Sequence, residues 1–245
     1  MIKLKKILKC LINPQFIYAY INGISPLYEL EIFLKKINKI DNPKIIIDIG
    51  SNKGQFILIC SKFFKKALYL SFEPQNKYLI LQKKIFKKFK ILFYNYALGS
   101  KSSLSNFYIT NRNDSSSILR PNKKIKDNRY KVLKKENILV KRFDTIFDNK
   151  YLKGPILVKI DVQGFELEVL KGFGKIITEI DFIILEKSYF DIYNNQSKAI
   201  NIDNFLKKKN FLILKNTNLT FYKGRKFQED ILYINSLKYN KKDLI

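Results

Sequence analysis

Short apolar runs alternate with segments of helical period through most of this 245-residue chain, and that alternation limits its folds more than any other feature. Residues 44–49 read as a strand, 55–64 as a helix, 67–72 as a strand, 76–89 as a helix and 90–96 as a strand. The strand segments are apolar at successive positions, not alternate ones. Such runs need cover on both faces, which a parallel sheet flanked by helices supplies. The alternation resumes at 156–160, with helices expected over 165–170 and 200–208 and strands over 181–185, 211–214 and 231–235. The expected fold is α/β: a mostly parallel sheet with helices on both faces.

Two regions depart from this pattern. Residues 105–110 and 138–143 read as strands, and 111–137 between them is rich in Asn, Ser and Lys. A connection that long is usually functional or mobile. We read about 105–143 as an insertion beside the mouth of a site, with Arg112, Ser115, Ser116, Ser117 and Arg120 able to shape it. Ahead of the sheet, Leu4, Ile7, Leu8, Leu11 and Ile12 share one face of a basic helix that Pro14 should limit. A helix of that kind lies on an anionic membrane or packs its apolar face on a domain; packing is the main expectation, with peripheral contact at the inner membrane surface as the alternative. A second helix is expected over 26–40. Residues 10–28 carry no charge, yet Asn13, Pro14, Gln15, Asn22, Gly23 and Pro26 argue against a membrane span. The expected division is a helical extension over 1–41 and one domain over 42–245.

Charge and composition narrow the function classes. The net charge of +26 suits a polyanion partner. However, Arg112, Arg120, Arg129, Arg142 and Arg225 are the only arginines among 47 basic residues. Arginine is the better fork for phosphates and bases. With abundant Ile and Asn and no Trp, the lysine excess reads first as the mark of an AT-rich coding sequence, and a nucleic-acid partner is not expected. The chain has no histidine, which excludes an imidazole base, a Ser-His-Asp triad and a histidine metal site. Cys10 and Cys60 fit neither a disulfide framework nor a metal spacing, which suits a reducing compartment. No export signal is evident, so a cytoplasmic location is expected.

In an open parallel sheet, ligands bind beyond the carboxyl ends of the strands, where strand order reverses. The residues expected there are Asp48 with Gly50 and Gly54, Glu73, residues 95–97, Asp161 and Glu186. The stretch D-I-G-S-N-K-G lacks the G-x-G-x-x-G that cradles a pyrophosphate, and Asp48 would repel one. A carboxylate there suits an ammonium or a cationic sulfur, while the glycines let the backbone approach the ligand. Glu73 at the next strand end suits ribose hydroxyls. A nucleoside without phosphates, carrying a positive amino-acid end, satisfies both: S-adenosylmethionine. Singly, Asp48 is also a plausible helix N-cap, Glu73 a surface carboxylate beside Pro74, and the glycines turn residues; their order and joint placement favour the cofactor.

These residues, with LSFEPQNKYLILQKK, YNYALGSK, NDSSSIL, VKRFDTIFD, ILVKIDVQGFELEVLKG, FIILEKS and EDILYIN, occur in the order of the FkbM methyltransferases, which the chain resembles from about residue 44 to 235. The resemblance implies a Rossmann-like seven-stranded class I methyltransferase sheet and S-adenosylmethionine as cofactor. It implies Asp48, Gly50, Asn52, Gly54 and Glu73 in the cofactor pocket, with Tyr96 and Ala97 beside the adenine. It also points to hydroxyls of sugars, glycans or secondary metabolites as acceptors. One position departs: the family usually has D-V-E-G where this chain has Asp161-Val162-Gln163-Gly164.

Methyl transfer to an alcohol needs a proton acceptor. With no histidine, Asp161 is the best placed candidate and Glu186 the second; either could instead orient the acceptor. No metal site is expected. The competing readings are an RNA methyltransferase and a non-enzymatic polyanion- or membrane-binding module on a methyltransferase fold.

Overall fold

The computed structural model describes residues 13–222 and 224–239. The helix expected in the first twelve residues lies outside them. Helix α1 spans Pro14–Ile21, starting where the sequence was expected to stop a helix. Proline is tolerated at the first helical position, where no backbone donor is needed. Asn13 caps it, its side chain accepting from the Gln15 N–H at 2.9 Å. A 3-10 turn at Tyr28–Leu30 leads into α2, Glu31–Ile40.

The sheet then begins. It runs β1 (Ile45–Ile49), α3 (Gln55–Cys60), β2 (Leu68–Phe72), α4 (Asn76–Ile85) and β3 (Ile91–Tyr94). After β4 (Ala97–Leu98) come β5 (Ser103–Thr110) and β6 (Val132–Lys141), then β7 (Ile156–Ile160) and α5 (Glu166–Gly172). The chain finishes with β8 (Phe182–Ser188), α6 (Ala199–Lys208), β9 (Phe211–Thr217), the short pair β10 (Phe221–Tyr222) and β11 (Arg225–Lys226), and β12 (Gln228–Asn235).

Seven strands form one sheet in the order β3-β2-β1-β7-β8-β12-β9. All neighbours are parallel except β12, which enters antiparallel between β8 and β9. β1 and β7 are buried at every position, as runs covered on both faces must be. One apolar cluster lies on each face. α1 and α2 belong to one of them: Phe16, Leu30, Phe33 and Ile37 pack with Ile46, Leu157 and Leu232 of the sheet.

The insertion is a second sheet, β4-β6-β5. β6 starts six residues earlier than expected, because 132–137, largely exposed and polar from Lys134 on, still pairs antiparallel with β5. Two glycines dock this sheet. A Cβ on Gly172 of α5 would lie 2.2 Å from the carbonyl oxygen of Gly99 after β4. A Cβ on Gly99 would lie 2.9 Å from Val140 and 3.0 Å from Phe165. Helix, inserted sheet and turn approach at backbone distance because neither glycine carries a side chain.

Candidate active site

The strand order reverses between β1 and β7: the chain runs outward from β1 to β3 and returns on the other side. A crevice opens at such a point. The turns after the two strands press together there. Gly50 has φ +75°, and a Cβ would sit 2.0 Å from the Asp161 carbonyl oxygen. The turn after β1 is tied from beneath by fully buried Gln82 of α4. Its Nε2 donates to the Asn52 carbonyl at 2.6 Å and to Ser51 Oγ at 2.8 Å. Ser71 Oγ of β2 donates to Gln82 Oε1 at 2.7 Å and so joins the same network.

A cavity of about 830 Å³ occupies this crevice, within the usual range of small-molecule sites. Of the residues expected at a site, Gly50, Asn52, Glu73, Ala97, Asp161 and Glu186 line it. Asp48 lies beneath its floor. Gly54 faces away, onto Phe86 of the underlying helix. Tyr96 turns toward Phe72 and Tyr94, with the Lys141 ammonium 4.6 Å from its ring centre. The apolar wall comes instead from Leu98 and, across the inserted sheet, Phe107 and Ile118.

The floor is dense with carboxylates. Asp48 is 1% exposed, and neither of its oxygens has a hydrogen-bond partner among the described residues. Burial pushes its pKa up to about 6, against the pull of Lys159. Glu73 is also buried and accepts from the backbone N–H groups of Asn52 and Gln75, each at 2.8 Å. Those bonds favour the ionised form, but burial outweighs them and raises its pKa to about 7. Lys159 stands beside Asp48 in the β1–β7 ladder. Its Nζ donates to Asp161 Oδ2 at 3.0 Å. Burial works against its charge, yet Asp161 and Asp48 hold its pKa above the ordinary lysine value.

Gln163 joins the two expected catalytic carboxylates. Its backbone is left-handed, φ +58°. Its Nε2 donates to Asp161 Oδ1 at 2.8 Å and to Glu186 Oε2 at 3.1 Å. The Tyr193 hydroxyl shares its one proton between the Ser115 carbonyl at 2.7 Å and Gln163 Oε1 at 3.0 Å. Gln228 Nε2 donates to the same Glu186 oxygen at 3.0 Å. Glu186 faces Asp230 across the β8–β12 ladder. Burial, then Asp161 and Asp230, push its pKa well above the carboxylate range. Burial raises Asp230 to about 6 although Asn218 donates to it at 2.5 Å. Glu166 holds the turn between Asp161 and α5, its Oε1 accepting from the N–H of Gly164 at 3.0 Å and of Val162 at 3.3 Å.

Lys159, Gln228 and Asp230 were not expected at the site. Lys159 had a signal, being the lone charge inside the apolar run ILVKI. Gln228 and Asp230 reach the cavity only because β12 inserts beside β8, which no local pattern announces. Among the described residues no group of three or more carboxylates or thiols is placed to hold a metal ion. Also among them, no helix is long and apolar enough to cross a membrane.

A mostly parallel sheet, reversing over carboxylate-tipped strands with a cavity at the reversal, defines an α/β protein with a ligand site at its switch point. Residues 48–213 match the methyltransferase FkbM domain, and the chain belongs to that family of methyltransferases. It is 25% identical over 162 residues to the hexuronic acid methyltransferase AglP of Haloferax volcanii, covering 64% of this chain and 62% of that relative. It thus spans less than two thirds of that protein. Among solved structures, the magnesium protoporphyrin IX methyltransferase of Synechocystis PCC 6803 is similar at 12% identity and a TM-score of 0.44, covering 84% of this chain and 76% of that one. The precorrin-6y C5,15-methyltransferase of Geobacter metallireducens GS-15 is similar at 11% identity and a TM-score of 0.44, covering 87% of this chain and 94% of that one.

Proposed function

We propose that this methyltransferase moves a methyl group from S-adenosylmethionine to a hydroxyl of a sugar or glycan. The observation that carries the reading is the negative excess under one cavity. On the floor the carboxyl groups of Asp48, Asp161, Glu186 and Asp230 outnumber the ammonium of Lys159, while Arg112 and Arg129 in the wall are each paired, with Asp114 and Asp127, and Asp48 has no hydrogen-bond partner among the described residues. Such a floor favours an onium ligand and disfavours a pyrophosphate. Glu73 keeps lone pairs free for ribose hydroxyls, and Leu98, Phe107 and Ile118 offer an apolar face to a base. These residues fit the cofactor. When bound, it supplies a methyl group on a cationic sulfur.

The chain's own groups handle the acceptor. Both oxygens of Asp161 are engaged, by Lys159 and by Gln163. Glu186 has Oε2 held by Gln163 and Gln228, while Oε1 accepts no hydrogen bond from the described residues. A carboxylate with one oxygen held by two amide donors and the other oxygen free is placed to accept a proton from an acceptor hydroxyl. We therefore assign proton removal from the acceptor hydroxyl to Glu186 and orientation to Asp161, the reverse of the ranking by strand position alone. Polar side chains at the cavity wall, Asn218, Thr220 and Gln228 among them, match a polyhydroxyl acceptor. The likeness to a hexuronic acid methyltransferase supports the same class.

The test uses two variants. Glu186→Gln should lower turnover about a hundredfold or more, as loss of a general base does, with S-adenosylmethionine affinity by calorimetry unchanged. Asp48→Asn should lose cofactor affinity with the fold kept. Wild-type turnover in Glu186→Gln would return the base role to Asp161. Wild-type cofactor affinity in Asp48→Asn would remove Asp48 from the pocket.

A further inference from the structure

A second cavity, of about 500 Å³, lies beside the first, with Tyr130 in the wall of both. Its charge is opposite. Arg120, Lys123, Lys126 and Lys131 line it, and none of them makes an ion pair with a described residue. The carboxylate in its wall, Asp127, is already held by Arg129 at 2.8 Å. A lysine-rich genome scatters cations over a surface; it does not by itself gather four unpaired ones around one hollow.

The framework under these cations is fixed. The Asn194 N–H donates to the Arg120 carbonyl at 2.9 Å, and the Asn122 N–H to the Ile192 carbonyl at 2.9 Å. Pro121 forms an antiparallel bridge with Tyr193. Below them Tyr130, Ile192, Tyr193 and Phe227 form a buried cluster. The Tyr130 ring stands edge-on to Tyr193 at 5.9 Å, and the Tyr193 hydroxyl reaches Gln163 between Asp161 and Glu186. One short chain of packed side chains therefore separates the cationic hollow from the carboxylates that would face a reacting hydroxyl.

We propose that this second cavity binds a phosphate-bearing part of the methyl acceptor, so that the substrate is a sugar joined to a phosphate or diphosphate. The inference rests on reading the first cavity as the acceptor site. A free sugar would leave the four cations without a partner; a phosphorylated one spans both hollows, its hydroxyl over the carboxylates and its anion over the lysines. Phosphate oxygens accept charge-assisted hydrogen bonds from both kinds of cation. The phosphate could be carried by a nucleotide or by a lipid.

The experiment titrates inorganic pyrophosphate, uridine diphosphate and phosphatidylglycerol vesicles into the full chain at low salt. The paired variants are Arg120→Gln/Lys126→Gln and Lys123→Gln/Lys131→Gln; all four side chains are at the surface and outside the first cavity. The wild type should bind pyrophosphate with an affinity that falls as salt is added. Each pair should weaken it about tenfold or more, the effect of losing charged hydrogen bonds, while S-adenosylmethionine affinity stays at the wild-type value. Binding of uridine diphosphate assigns a nucleotide-carried acceptor; binding of vesicles with only weak binding of the soluble anions assigns a lipid-carried one. Equal pyrophosphate affinity in variants and wild type overturns the inference, as does a wild type that binds the methyl donor but no phosphate probe. Tighter binding of single-stranded RNA, lost in the same variants, also overturns it. Cofactor affinity is read separately, so failure of the methyltransferase reading is distinguished from failure of this one.

Discussion

Asp48, one residue before the end of apolar strand β1, places there a charge that the protein leaves without a hydrogen bond among the described residues. A carboxyl whose pKa is raised on folding, to about 6 here and to about 7 at Glu73, binds its proton more tightly in the native state than in the unfolded chain. The sign follows from linkage. Stability from these groups is fully present below the unfolded carboxylate range and is lost as pH rises through about 6 to 7. A bound onium reverses the preference, because it favours the ionised form and pulls both pKa values down. Cofactor affinity should therefore rise with pH across the same window in which the free protein loses stability. Thermal melts with and without S-adenosylmethionine, from pH 5 to 8, should show its stabilising shift growing with pH. The +26 charge adds self-repulsion in acid, so the comparison is made against Asp48→Asn/Glu73→Gln, which carries nearly the same background without either titration. A stabilising shift independent of pH in the wild type would show that the ligand does not sense these carboxylates.

At the scale of elements, two of the stretches that carry the family resemblance, ALG within YNYALGSK and KIDVQGFELEVLKG, turn out to touch. Gly99 ends the first and Gly172 ends the second, and there is no room between them for a Cβ. α5 also begins at the turn carrying Asp161 and Gln163, which Glu166 ties down. Displacing the helix at its far end should therefore disturb the carboxylates at its near end. Gly172→Ala would add helix propensity in an unconstrained helix. Here overpacking against the Gly99 carbonyl should win, costing about 1–3 kcal/mol in a urea titration. Turnover should fall more than cofactor affinity. An unchanged or raised urea midpoint would mean that the helix moves away freely. The same contact explains why these stretches were legible as motifs but not as geometry. Spacing along the chain reveals that a glycine sits at a helix end, not what approaches it. Tyr96 is placed differently: the expected strand 90–96 already ends at Tyr94, and in the break before β4 the Tyr96 ring packs with Phe72 and Tyr94 and does not line the cavity.

For the molecule as a whole, legibility follows the range of the interaction. β1, β2 and β7 could be read almost to the residue, because burial on both faces writes an uninterrupted apolar run. Asp48, Glu73, Asp161 and Glu186 were visible because each charge stands at or beside the end of such a run. The placement of β12 between β8 and β9 was not visible, nor was the arrival of Gln228 and Asp230 with it, since strand order is decided by pairing across the fold. This bears on where the folding unit lies. The family match ends at residue 213, inside β9, and begins at 48, inside β1. It omits β12, which joins β9 to the rest of the sheet. It also omits Phe16, Ile24, Leu30, Phe33, Leu34 and Ile37, which bury against one sheet face. Each large side chain of that kind contributes about 1.5–3 kcal/mol on burial, and a domain's net stability is only about 5–15 kcal/mol. A fragment of residues 48–213 should therefore show no cooperative urea transition by circular dichroism, whereas residues 13–239 should. Cooperative unfolding of the shorter fragment would mean that α1, α2 and β12 are additions to a self-sufficient core. Its failure would make them part of what holds the carboxylate-tipped strands together.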